Sequence, residues 1–323
     1  MDGIKHLRGP ALPVLLLALL ACLTAIDGLW LAFGHFHVDG GAFFGLGLLA
    51  ASLLMAARFY RTVRPDPRIA AMLFGAGFLC LFSSGASILN YLLLTKAGAR
   101  IDIVLADLDR AMGLDWPGLM RWMGQHPGLN AAARIVYSST LPQVALSAIV
   151  LAGIEPDRVY RFCLALALSA LLCITIWSFV PSFGAFSVYA LPDAKMDLAL
   201  NSAYAQELLR LLREGPGLIS PHNAKGLIGF PSYHAVLALL VCWYLRDVKF
   251  LRWPVLGLNL AVILATPVQG GHHFIDVFAS FPVAALSIFA AARLAKTAKV
   301  LEPVNKESTA AESLPQALAT RKL

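Results

Sequence analysis

Two polar clusters stand at the mouths of apolar segments: "GFPSYHAV" (Gly229–Val236) and "GGHHFID" (Gly270–Asp276). His272 and Asp276 are four residues apart, so on a helix they share a face and can hydrogen-bond. The carboxylate then takes the proton of one ring nitrogen and leaves the other with a free lone pair, half of a nucleophile or general-base arrangement. His234 could protonate a leaving group. With Pro231 in the first turn of a helix, Ser232 and His234 also fall there, where free backbone N–H groups and the helix dipole favour an anion. Gly270 and Gly271 let the backbone bend or approach another group closely. Together these residues point to phosphoryl transfer through a phosphohistidine.

Blander readings exist. A single histidine at a helix start is more often a cap or an interfacial residue, and metal ligation is another use of the ring. No cluster of carboxylates or cysteines on this side completes a zinc or di-metal set, so neither a metal nor another cofactor is expected. Two histidine-bearing clusters at one membrane depth are harder to dismiss as structure.

The elements that must position these residues are apolar and long. The 323-residue chain is 59% hydrophobic and 14% charged, against about a quarter charged in a soluble domain. Such a chain cannot hide its apolar surface in a water-soluble core. Several runs approach or exceed the roughly 20 residues that cross a bilayer. They are continuous rather than alternating, which selects helices over a barrel. The expected fold is all-α: a polytopic membrane protein of eight spans, near Leu12–Phe33, Ala42–Ala57, Ile69–Leu94, Ala131–Gly153, Val159–Val180, Pro231–Leu245, Leu251–Pro267 and His272–Leu294. The first run lacks a small-residue cleavage signal and reads as a retained span.

The net charge of +7 reflects basic residues in short connections rather than a nucleic-acid surface. Arg58, Arg61, Arg64 and Arg68, then Arg158 and Arg161, then Arg246, Lys249 and Arg252 fall on one side of an eight-span layout, with Lys5, Arg8, Arg293, Lys296 and Lys299. The positive-inside rule makes that side cytoplasmic. Both polar clusters then open on the outer side. The outer side also carries two long connections. The first holds "IDIVLADLDRAMGLDWPGLMRWM", which reads as an amphipathic interfacial helix. The second holds "DLALNSAYAQELLRLLREG", a helix stopped at Gly215-Pro216. The five cysteines are scattered through apolar runs and predict no disulfide.

"PSYH" resembles the Pro-Ser-x-His signature of the type-2 phosphatidic acid phosphatase superfamily, and "HHFIDV" its following His-x-x-x-Asp signature, with His272 and Asp276 in register. "LDRAMGLDWP", "YSSTLPQ" (Tyr137–Gln143), "VPSFGAFSVY" and "KGLIGFPSYHA" resemble the inositol phosphorylceramide synthase-like branch. The resemblance covers roughly residues 69–294 and implies a six-helix core. It also implies that His272 attacks phosphorus, Asp276 orients it, His234 acts as general acid and then base, and Ser232 with backbone N–H groups holds phosphate oxygens, without a metal. The sequence departs from the family pattern in its cations. The upstream Lys-x6-Arg-Pro signature has only a decoy in Arg64-Pro65, with Ala57 where the lysine belongs, and Thr266 stands where an arginine is expected. Lys225, Arg134 and His222 are the candidate replacements, with Lys225 preferred.

These readings divide the chain into two N-terminal transmembrane helices (1–68), a catalytic transmembrane core (69–298) and a disordered cytoplasmic tail (299–323). The expected protein is a lipid phosphatase or a phospholipid head-group transferase, with water or an alcohol as acceptor. It would sit among membrane lipids in a bacterial inner membrane, its site facing the periplasm. The alternative is a non-catalytic lipid-phosphate binder or transporter on the same scaffold.

Overall fold

The computed structural model describes residues 12–189, 196–200, 202–222, 224 and 226–300. The proposed tail from residue 301 and Lys225 therefore lie outside the described residues.

Three long apolar helices come first: α1 (Leu12–Phe33), α2 (Gly40–Thr62) and α3 (Pro67–Leu94). Their boundaries follow from capping. Asp39 accepts a hydrogen bond from Ala42 N to start α2. Asp66 accepts from Arg68 N and Ile69 N to start α3, with Pro67 in the first turn where its missing N–H costs nothing. The α1–α2 connection forms a two-residue strand, β1 (His37–Val38), paired in parallel with β2 (Leu218–Ile219). Sequence patterning gives no hint of this pairing, which ties the N-terminal helices to the second long connection, over residues 180–232. The Ser220 hydroxyl also donates to Asp39 at 2.8 Å. These donors hold the Asp39 carboxyl below the usual carboxylate range.

The first long connection, over residues 95–126, holds two helices rather than one: α4 (Asp102–Ala111) and α5 (Trp116–Gly124). Gly113, at φ +74°, takes the left-handed conformation that ends α4. The helix α4 buries Asp102 and Asp109 together with Leu105 and Ala106, while Ile103, Val104 and Leu108 point outward beside Asp107 and Arg110, as suits a helix at a lipid interface.

The fourth expected span is likewise split, into α6 (Pro127–Ser138) and α7 (Thr140–Ile154), bent by 43°. Pro142 has no N–H to offer the Ser138 carbonyl one turn back. The Ser139 and Thr140 hydroxyls bond to the carbonyls of Val136 and Tyr137 instead, so the break is satisfied locally.

The centre of the bundle is α8 (Pro156–Phe179), whose residues from Val159 to Trp177 are largely buried. It packs against α3, α7, α10 (Tyr233–Leu245) and α12 (Phe274–Val300). A 3₁₀ turn (Ala185–Ser187) and α9 (Ser202–Glu214) lie in the connection between α8 and α10. The helix α9 stops as expected, at Gly215 with φ +76°. The remaining helix is α11 (Arg252–Gln269).

Among the described residues five helices are long and apolar enough to cross a membrane, or six with the bent pair counted as one span. All eight expected segments are helical, but α10 has thirteen residues, about 20 Å, short of a bilayer core of about 30 Å. Leu29, Leu48, Met55, Leu146, Leu264 and Phe289 point outward from the bundle, a distribution that suits lipid rather than water. The fold is that of a polytopic helical membrane protein.

Candidate functional site

The start of α10 and the start of α12 meet. Ser232 N donates to the Asp276 carbonyl at 3.1 Å. The Ser280 hydroxyl bridges the carbonyls of Ser232 and Asp276 at 2.8 and 2.9 Å. This brings His234, the second residue of α10, beside the His272 loop.

His272 lies two residues before α12, so helix register is not what joins it to Asp276. Gly271, at φ +62°, turns the chain in a way that a side chain would resist. The result is the expected pair: His272 Nδ1 is 3.2 Å from Asp276 Oδ2. The same nitrogen is 2.8 Å from the Gly229 carbonyl. Both neighbours are acceptors, so the proton belongs on Nδ1 and the lone pair on Nε2. Asp276 Oδ2 also accepts from His273 N at 2.8 Å, which fixes the carboxylate.

His234 has its own partner. Its Nδ1 is 3.1 Å from the Tyr137 hydroxyl, and the two rings stack at 4.3 Å with 20° between planes. A Cβ added to Gly270 would lie 2.7 Å from both the Tyr137 hydroxyl and His272 Cδ2. Tyr137, His234 and His272 therefore converge on one spot, and Gly270 is the residue that leaves it open. Sequence reading quotes Tyr137 within "YSSTLPQ" but finds no task for it. A tyrosine in an apolar helix, just before the Ser139 break, is the signal.

Ser232 is the N-cap of α10 rather than a first-turn residue, and Pro231 precedes the cap. The Ser232 side chain makes no capping bond, and its fully buried hydroxyl has no partner among the described residues. A buried hydroxyl without a partner beside a helix N-terminus is an available donor for an anion.

Two acids brace the loops around this cluster, and sequence reading misses both roles. Asp109 of α4 accepts from Phe274 N at 2.9 Å and Ile275 N at 3.0 Å, capping α12 from another element. Its Oδ2 is 3.6 Å from His273 Nδ1. Asp102, two turns earlier on the same face, accepts from the Ser182 hydroxyl, Phe183 N and Gly184 N at 2.7–3.1 Å. That loop packs on the site: Ala185 N donates to the Gly271 carbonyl at 2.7 Å, and a Cβ at Gly229 would collide with the Ser182 carbonyl. His273 is thus turned toward α4, as its offset from Asp276 register implies.

Of the cation candidates, Lys225 lies outside the described residues. Arg134 is ion-paired with Asp197. His222 bonds through its backbone to Ser220. Thr266 is buried and donates to the Val262 carbonyl. Arg100, which sequence reading passes over, reaches Asp102 at 3.8 Å and lies over the Phe183 ring. It puts a guanidinium on the loop that packs against Gly229 and Gly271. Among the described residues no group of three or more histidines, cysteines or carboxylates is placed to hold a metal ion.

No curated protein and no solved structure matches this chain. A family model described as "PAP2 superfamily" matches residues 103–290, more than half of the sequence. The matched stretch starts at α4 and contains Ser232, His234, His272 and Asp276, leaving α1 to α3 outside. The convergent histidines and the matched stretch coincide, and the chain belongs to the PAP2 superfamily, as an integral membrane protein of phosphatase or phosphotransferase type.

Proposed function

We propose that the protein transfers the phosphoryl or phosphodiester group of a lipid through a covalent intermediate on His272. The observation that carries this is the pair of acceptors on His272 Nδ1, Gly229 O and Asp276 Oδ2. They leave Nε2 free as the nucleophile. In the first step Nε2 attacks phosphorus, and the bond to the leaving alkoxide breaks. His234 gives that oxygen a proton. In the second step His234 takes a proton from water or an alcohol, the new oxygen attacks phosphorus, and His272 departs as a neutral ring. Tyr137 keeps the His234 ring in place through its hydrogen bond and stack. Ser232 and the free N–H groups of α10 hold phosphate oxygens. Lys225 and Arg100 are the proposed sources of positive charge.

The synthase-like stretches favour an alcohol acceptor, as in an inositol phosphorylceramide synthase-type head-group transferase, over water. The division into an N-terminal pair (1–68), a catalytic core (69–298) and a cytoplasmic tail (299–323) belongs to the same reading. So does an inner-membrane location with the site facing the periplasm. A binder without chemistry would need positive charge more than a nucleophile and an acid, and this cluster has the opposite balance.

The test is hydrolysis of a short-chain lipid phosphate by detergent-solubilised protein. Activity should survive EDTA and fall with vanadate, which resembles pentacoordinate phosphorus. An absolute requirement for Mg²⁺ or Zn²⁺ would defeat the mechanism.

A further inference from the structure

The end of the bundle away from the candidate site carries two adjoining hollows. One is an apolar groove of about 600 Å³ between α10 and α12. Leu239, Cys242 and Trp243 wall it on one side, and Phe281 and Ile288 on the other. Ala284 and Ala285 leave the space between. The second is a polar cavity of about 180 Å³ bordered by Arg158, Arg161 and Arg246, with Asp247 as an acid on its rim. Trp243, Arg246, Ile288 and Ala292 border both, so the groove opens into the cavity. Trp243 is eleven residues along α10 from Ser232, about 16 Å, so these hollows are separate from the histidine cluster.

Ion pairing leaves the arginines partly unspent. Arg158 uses Nε on Glu155 and one terminal nitrogen on Asp247. Arg161 uses one terminal nitrogen on Glu155, and its Nε contacts the Asp157 carbonyl. Arg246 uses one on the Trp243 carbonyl, lies 3.8 Å over that indole, and has Asp247 3.8 Å from Nε. In each guanidinium one terminal nitrogen takes part in none of these contacts. Three guanidinium groups and one carboxylate, Asp247, border the cavity, so its lining is positive. Planar N–H groups of this kind match phosphate oxygens. An exposed apolar groove alone would only meet ordinary bilayer lipid. A groove that ends in guanidinium groups selects a head group.

We propose that the groove and cavity form a binding site for one membrane phospholipid with a net-negative head group. Its acyl chain lies against Ala284 and Ala285, and its phosphate sits at Arg158, Arg161 and Arg246. The lipid belongs to the leaflet opposite the candidate site. Basic hollows between transmembrane helices bind anionic head groups by this chemistry.

Trp243 borders both hollows and reports on them. Full-length protein is reconstituted in phosphatidylcholine vesicles containing a fixed fraction of acyl-brominated phosphatidylglycerol or acyl-brominated phosphatidylcholine. Quenching of Trp243 is taken as the difference between the protein and Trp243→Phe. The expected result is roughly fivefold enrichment of phosphatidylglycerol over phosphatidylcholine at Trp243, the worth of about one arginine contact at a charged membrane surface. Arg161→Gln/Arg246→Gln should remove it. Ala285→Leu, at an exposed position that fills the groove and keeps every charge, should remove it as well. Equal quenching by the two lipids overturns the proposal, because it describes unselective lipid contact. Enrichment that survives both variants overturns the assignment of head group and chain to these residues.

Discussion

The N-terminal helices and the histidine-bearing end of the core use polar side chains in opposite ways. In α2 and α3 the hydroxyls of Ser52, Thr62 and Ser84 bond to carbonyls four residues back on their own helix. Such bonds satisfy the group in lipid and join nothing to anything else. At the histidine-bearing end of the core the bonds cross the chain. Asp109 reaches residues 274 and 275, Asp102 reaches 182–184, and Tyr137 reaches His234. Gln269 donates to Asn130, and its side-chain carbonyl accepts from Ala199 N. One region hides most of its polarity, with the Asp39–Ser220 bond as an exception, and the other uses it to bring distant segments to one point.

The comparison breaks first at His272. Replacing it with Ala should take turnover below detection, while His273→Ala, whose ring faces Asp109, should keep a substantial fraction. The reverse result would mean that the nucleophile is misassigned. Asp109→Ala comes next. It strips the acceptor from two N–H groups at the start of α12, so stability in detergent should fall by about 1–3 kcal/mol, with Asp109→Asn recovering part of the loss. A thermal melt that does not move would show the brace to be dispensable. Ser84→Ala should have the smallest effect. Its bond stays within its own helix, and a change within about 0.5 kcal/mol is expected. A larger loss would mean that polarity in the N-terminal helices also holds the bundle together.

Much of this arrangement is legible in the sequence because its signals are short-range. Apolar runs show the helices, and Pro67, Asp66 and Gly215 mark their ends. The four-residue interval from His272 to Asp276 also proves to be a contact, although a glycine turn makes it rather than a helix face. What escapes the sequence is long-range. The acids of α4 look like the polar face of an interfacial helix, because nothing local says that residue 109 will cap a helix starting 165 residues later. The pairing of β1 with β2 and the stack of Tyr137 on His234 escape for the same reason. The bend at Ser139 was nearer to view, since Pro142 announces a lost hydrogen bond.

The central claim is a covalent phosphohistidine on His272 with His234 as the proton donor. His234→Ala separates the two steps. With a lipid phosphate the leaving alkoxide needs a proton, and the variant should lose about 10²–10⁴-fold in rate. A nitrophenyl phosphate leaves without one, so its first step should be largely spared while the second stays slow. The measurement is rapid-quench of His234→Ala with nitrophenyl phosphate. The predicted result is a burst of nitrophenol close to one per enzyme, with acid-labile phosphate trapped on His272. No burst and no trapped phosphate would contradict the account, leaving either a direct transfer or a His234 required for binding the phosphate itself.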